Sequence, residues 1–254
     1  MRPDLPLALL LALILPLAPL GAQAANEHYL GYAYAPHGGA ERYREEHWVV
    51  RDGARQTRLV LYRCPDGAAF ARKWVRGGVD DPAPDFALFD QRDGYREGVS
   101  SRGAERHAYV QARASATTRS QALPPAEDAV IDAGFDAWLR AHWDPPATPL
   151  RFLVPSRLAL MPLEVQARDV PGQRERVFRL RLDAWYGFAA PPLRVTYDRD
   201  SRRLRRFEGP SNLRDGNGGT QTVRIEFPAD AELAPPTQQD MDAAAATPLT
   251  GRCD

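Results

Sequence analysis

From residue 41 onward, apolar and polar residues of this chain change places with a period close to two. "EEHWVV" (45–50) and "TRLVLYR" (57–63) mix the two kinds in alternation, and Asp52-Gly53 between them supplies the positive φ of a tight hairpin. "AAFARKWV" (68–75), "FALFDQ" (86–91) and "YREGVSS" (95–101) continue the pattern, separated by "PDG", "RGGVDDPAPD" and "RDG". "RHAYVQARASATTRS" (106–120) accommodates one long bent strand or two. The second half repeats the design in "LRFLV" (150–154), "LALMPLEVQA" (158–167), "LRVTYD" (193–198), "RLRRFEG" (203–209) and "TVRIEF" (222–227). Its cleanest stretch is "RVFRLRLDAWY" (176–186), with Phe178, Leu180, Leu182, Ala184 and Tyr186 on one side and Arg179, Arg181 and Asp183 on the other. A strand with one wet and one buried face reads this way. Turns recur at meander spacing. The expected fold is mainly β: one large curved antiparallel sheet of about ten strands, an open or half barrel.

One stretch breaks the period. In "VIDAGFDAWLRAHWD" (130–144), Ile131, Phe135, Trp138 and His142 share one helical stripe with Leu139 beside it. Pro125, Glu127 and Asp128 suit the helix start and Asp144-Pro145-Pro146 its end, which predicts a helix near 126–143. The aromatic stripe has to lie on the sheet, and packing on its concave face is expected. The opposite face carries Asp128, Asp132, Asp136 and Arg140 at four-residue steps. That is either a carboxylate pair for acid–base or metal chemistry, or a solvated face with an Asp136–Arg140 ion pair. His142, near the negative helix end, reads as a packed histidine before it reads as a base.

The first residues look processed. Arg2, an apolar run from Leu5 to Leu20 broken by Pro6, Pro16 and Pro19, and the small residues of Ala22-Gln23-Ala24 form a signal-peptide layout, with cleavage near Ala24. The run is too short and too broken for a membrane anchor, so a periplasmic or secreted address follows. The remaining 25–227 reads as a single β-rich domain, and 228–254, poor in bulky apolar residues, as a largely disordered tail. Basic and acidic residues are equal at 33 each, which argues against nucleic acid as a partner. All the basic residues but Lys73 are arginine. In an oxidising compartment the two cysteines, Cys64 and Cys253, are expected to pair.

Catalytic and cofactor motifs are missing. "GVSSRG" (98–103) has the wrong spacing for a nucleophile elbow, the five histidines show no ligand spacing, and "DGNGG" (215–219) reads as a hairpin turn and not a calcium loop. No metal and no cofactor are expected. "REEH" (44–47) places Glu45 and His47 on one strand face, an acid–base pair if that face is inward.

Several phrases together, "LGYAYAP" (30–36), "REEHWVV", "YRCPDGAAFARKWV", "DAGFDAWLRAHWD", "FLVPSRL" (152–158), "VTYDRDSRRLRRFEGPSNLRD" (195–215) and "VRIEFP", give a chain that resembles a group of uncharacterised secreted proteobacterial proteins. These are β-rich, with one helix between two sets of strands. The resemblance spans nearly all of 30–228 and implies a bacterial envelope address, but it carries over no activity and no site residues. The reading favoured here is a non-enzymatic periplasmic protein. Ile131, Phe135, Trp138, Phe178, Leu180 and Leu182 either line a pocket for an apolar or lipid-like molecule or fill a dry core. An envelope protein partner is a further expectation. The alternative is a periplasmic hydrolase using Glu45 with His47, or Asp132 with Asp136.

Overall fold

The computed structural model describes residues 25–145, 150–182, 193–215 and 218–253. The expected signal peptide, and Ala184 and Tyr186 of the alternating stretch, lie outside the described residues. The first half forms strands at Glu27–Tyr34 (β1), Glu41–Asp52 (β2), Arg55–Arg63 (β3), Ala69–Gly78 (β4) and Asp85–Asp90 (β5). Arg96–Arg102 (β6), Glu105–Gln111 (β7) and Arg119–Ala122 (β8) complete it. The short strand Ala129–Val130 (β9) leads into a helix, Gly134–Ala141 (α1). Leu150–Val154 (β10), Ala159–Asp169 (β11), Glu175–Leu182 (β12), Leu193–Asp198 (β13), Leu204–Arg214 (β14) and Thr220–Glu226 (β15) follow. Glu232–Leu233 (β16) and a second helix, Gln238–Ala245 (α2), end the chain.

All sixteen strands belong to one sheet, which corrects the expectation of about ten. β1, β8, β9 and β16 account for most of the excess. The inner positions of β1 include Gly31 and Ala33, too small to mark a strand by periodicity, while β9 and β16 have two residues each. The order runs from β8 down to β1, then from β15 back to β9, so two meanders meet where β1 pairs with β15. Pairing is antiparallel throughout except between β9 and β10.

This order forces the sheet to curl. β8 and β9 are opposite edges, yet only residues 123–128 connect them. That connection reaches roughly 25 Å when fully extended, whereas fifteen strands laid flat would separate the edges by about 65 Å. The near approach is visible in the bond from the Arg119 guanidinium on β8 to the Ser156 carbonyl just after β10, at 2.8 Å.

One face of the rolled sheet turns inward. Following the register, Tyr43, Ala33, Ile225, Phe207, Val195 and Phe178 lie on that same face across six strands. They contribute to two buried clusters, a larger one against β2–β7 and a smaller one against β10–β13, with Phe207 packed against both. The expected helix begins late. Ala129 and Val130 are taken into the sheet, and Asp132 sits at φ +44° before Gly134 opens α1. Gly134 is required there because a Cβ would lie 2.1 Å from the Pro82 carbonyl oxygen in the β4–β5 loop. Gly→Ala within a helix ordinarily stabilises by up to about 1 kcal/mol. Here the sign should reverse, with Gly134→Ala losing roughly 1–3 kcal/mol through forced backbone displacement, as read from urea unfolding midpoints.

The C-terminal tail is ordered, contrary to expectation. α2 opens with a capping box between Thr237 and Asp240 and buries Met241 completely against Trp48, Leu59 and Leu61 on the outer face of the sheet. The tail itself is poor in bulky residues, but the sheet supplies them; one methionine and two alanines suffice. β16 pairs with β1, the Thr250 amide donates to the Ala69 carbonyl at 2.7 Å, and Cys253 is bonded to Cys64. No described helix is long and apolar enough to cross a membrane.

Candidate functional site

Hairpin register assembles a row of side chains that no local motif announces. Reading across β7 to β1 on the inner face gives Val110, Glu97, Leu88, Lys73, Val60, His47 and Tyr29. Apolar and titratable residues alternate along it, so Glu97, Lys73 and His47 follow one another at about 10 Å, two strand spacings. Lys73 and Arg58 are diagonal neighbours, about 7–8 Å apart. Glu97, Lys73 and His47 are each less than a tenth exposed.

Each charge has its own arrangement. The Lys73 ammonium meets Asp132 at 3.0 Å, and Asp132 belongs to the segment entering α1 and not to a strand. Glu97 accepts hydrogen bonds from the Tyr95 hydroxyl at 2.6 Å and from the Asn212 amide. Burial outweighs these bonds and raises the Glu97 carboxyl to about 7. Burial also lowers His47, although the hydrogen bond to Glu45 opposes it. Tyr62 is pushed well up by burial and by the carboxylates of Glu45, Asp132 and Glu97. At Arg58 burial is outweighed by Tyr29, Asp136, Glu27 and Asp132, so its pKa is raised. Two buried nitrogens of this group, His47 Nδ1 and Arg58 Nε, have no hydrogen-bond partner.

Glu45 and His47 do come together, with Oε2 and Nε2 3.1 Å apart. They are sealed: Tyr29 stacks on the imidazole at 4.5 Å and Phe227 meets it edge-on at 6.0 Å. Gly31 makes room for that phenyl ring, since a Cβ there would lie 2.5 Å from it. Phe227 also forms one wall of an open groove of 450 Å³ that includes Arg174, Arg205, Arg206 and Glu226. A second depression of 340 Å³, around Arg92 and Gly94, lies away from the row.

Asp132 and Asp136 do not pair. Asp132 takes Lys73, whereas Asp136 accepts from the Tyr197 hydroxyl at 2.8 Å and pairs with Arg140 at 3.1 Å. The four-residue spacing fails because 128 and 132 precede the helix; Asp128 instead binds Arg151. His142 stacks on Trp138 at 4.2 Å.

Of the anticipated lining residues, Trp138, Phe178 and Leu180 are buried together in the smaller cluster with Phe135 packed on it, and Ile131 joins the larger one. Leu182 closes β12, its side chain outside the described residues. Lys73, Glu97 and Arg58 were missed because their inward direction depends on register; the only hint was a single lysine among so many arginines. No family model, no curated protein and no solved structure matches the chain.

Glu97 predicts an unusual pH response. Its carboxyl stays protonated in the fold at pH values where the unfolded chain, near 4.5, has released the proton. Stability from this group is therefore full below 4.5 and is lost as pH rises through about 7. The total is roughly 3 kcal/mol. His47 acts oppositely, since its lowered pKa removes stability as pH falls below 6.5. Comparing Glu97→Gln with the parent isolates the first effect. The variant's relative stability should climb by roughly 3 kcal/mol between pH 4.5 and 8 in guanidinium titrations; a constant difference would contradict the assignment.

Proposed function

We propose that this is a non-enzymatic periplasmic protein that binds an amphiphilic, lipid-like molecule inside the curled sheet, beneath α1. The observation that carries the reading is the segment 130–139. It contributes to both inner clusters and to the polar row from outside the strands of that row: Val130, Trp138 and Leu139 to the smaller cluster, Ile131 to the larger, Asp132 to Lys73. Apolar surface and buried charge thus meet under one short lid on the concave side. An eight-residue helix has no stability of its own, and α1 lacks a side-chain N-cap. What it buries holds it down, and a molecule with a similar division of apolar and polar surface can take its place. The signal-peptide layout and the Cys64–Cys253 bond favour an oxidising envelope compartment.

Two measurements test this. Native mass spectrometry of protein purified without detergent should show a retained lipid mass. Titration with a fluorescent acyl-chain probe should quench tryptophan emission, and Trp138→Phe should remove most of that signal. Absence of both retained mass and probe uptake overturns the reading.

The 3.1 Å contact of Glu45 with His47, one phenyl ring from an open groove, favours a second reading as a hydrolase. A neutral histidine oriented by a carboxylate is the arrangement of a general base. Turnover of p-nitrophenyl esters that His47→Gln abolishes would move the conclusion there.

A further inference from the structure

Which amphiphile would fit depends on what the lid leaves behind. Lys73 is the sole lysine of the chain, at a position buried on the inner face. A lysine ammonium is a compact charge with three rotatable donors, suited to seating one anionic group without the planar geometry that arginine demands. Its partner, Asp132, arrives on the short connection into α1 and not on a strand, in the left-handed backbone region that aspartate and asparagine adopt more readily than other side chains. Whenever α1 lifts, Asp132 leaves with it, and Asp136 with its charge moves away from Arg58. Two cations, diagonal neighbours on adjacent strands, are then uncovered, Lys73 without Asp132 and Arg58 with Glu27 left of the three carboxylates that raise its pKa. Leaving a buried charge unpaired is strongly unfavourable, so an anion has to replace Asp132 for the open state to persist. Arg58 Nε already lacks a hydrogen-bond partner in the closed state.

We infer that Lys73 seats the carboxylate of a single-chain anionic amphiphile such as a fatty acid, with Arg58 as a second cation, and that Asp132 is an internal stand-in which the ligand displaces. The acyl chain then occupies the space that Ile131, Trp138 and Leu139 fill when the lid is closed. This inference rests on the reading of the protein as an amphiphile binder and names the ligand's charge and the residue that reads it.

The test compares oleate with oleyl alcohol, which share a chain and differ in the head, on the full mature protein by calorimetry. Oleate should bind at least ten-fold more tightly. Lys73→Met should bring oleate down to the level of the alcohol measured on the same variant. Asp132→Asn, which removes the internal competitor and weakens the closed state, should tighten oleate several-fold. Because Lys73 is the sole lysine, expression with lysine labelled with 13C at Cε gives it a single side-chain resonance without chemical access to the buried amine. Oleate should shift that resonance and oleyl alcohol should not, a readout that survives even if Lys73→Met fails to fold. Equal affinities with an unmoved resonance overturn the role of Lys73 while leaving amphiphile binding intact. Failure of both ligands to bind overturns the underlying reading as well.

Discussion

Replacing Asp132 by asparagine should lower unfolding stability by roughly 3–5 kcal/mol, because it strands the Lys73 ammonium in a site from which water is excluded. The backbone at this position sharpens the prediction. Asparagine tolerates the left-handed region in which Asp132 sits, whereas alanine adds about 1–2 kcal/mol there. Asp132→Ala should therefore be the more damaging of the two by that margin. Removing both charges is a different matter. A Lys73→Met, Asp132→Leu double variant replaces an ion pair by apolar groups of similar size, which is often neutral or stabilising, so it should recover all but the about 1–2 kcal/mol that leucine, like alanine, loses in the left-handed region. Denaturant unfolding of the three variants decides it. A loss below 1 kcal/mol for Asp132→Asn would mean that water reaches Lys73 and the pair is not enclosed. Recovery in the double variant would show the pair is dispensable for folding, which agrees with its retention for a ligand.

Loss of the disulfide should have an effect of the same order. Cys64 and Cys253 close a loop spanning 189 positions, for which chain entropy gives about 5 kcal/mol. Cys64 is completely buried in the turn after β3, and Cys253 lies 5.4 Å away between Cα atoms. The bond anchors the chain end that carries α2 over Trp48, Leu59 and Leu61. Cys253→Ser should reduce stability by up to about 5 kcal/mol, and amides of α2 should lose hydrogen-exchange protection before those of β2 and β3. The order matters. Global loss without early release of α2 would contradict the view that the bond acts by holding the tail.

Much of the architecture was legible beforehand. Period-two alternation marked the strands of both halves, Asp52-Gly53 placed the β2–β3 hairpin, and Gly53 indeed takes φ +57°. The helix was legible in kind but not in extent. Its pattern of apolar residues continued back to Ile131, but Ala129 and Val130 gain more from pairing with β10 and Ile131 from packing in the core. The tail was misjudged for a related reason: its own residues are weakly apolar, and the large surface that orders it belongs to β2, β3 and β4.

By itself, the order of residues along this chain determined that it would build an antiparallel sheet with one wet face, that an aromatic-faced helix would interrupt it, and that two cysteines were available to pair. Those features are local, set by side-chain period, turn residues and composition. Which residues meet inside was decided only in three dimensions. Glu97, Lys73 and His47 are separated by 24 and 26 positions and come into one row solely through register, and Lys73 finds Asp132 only because the sheet's edges curl toward each other. A contact across strands depends on accumulated hairpin lengths and on closure, and no short window of residues holds that information.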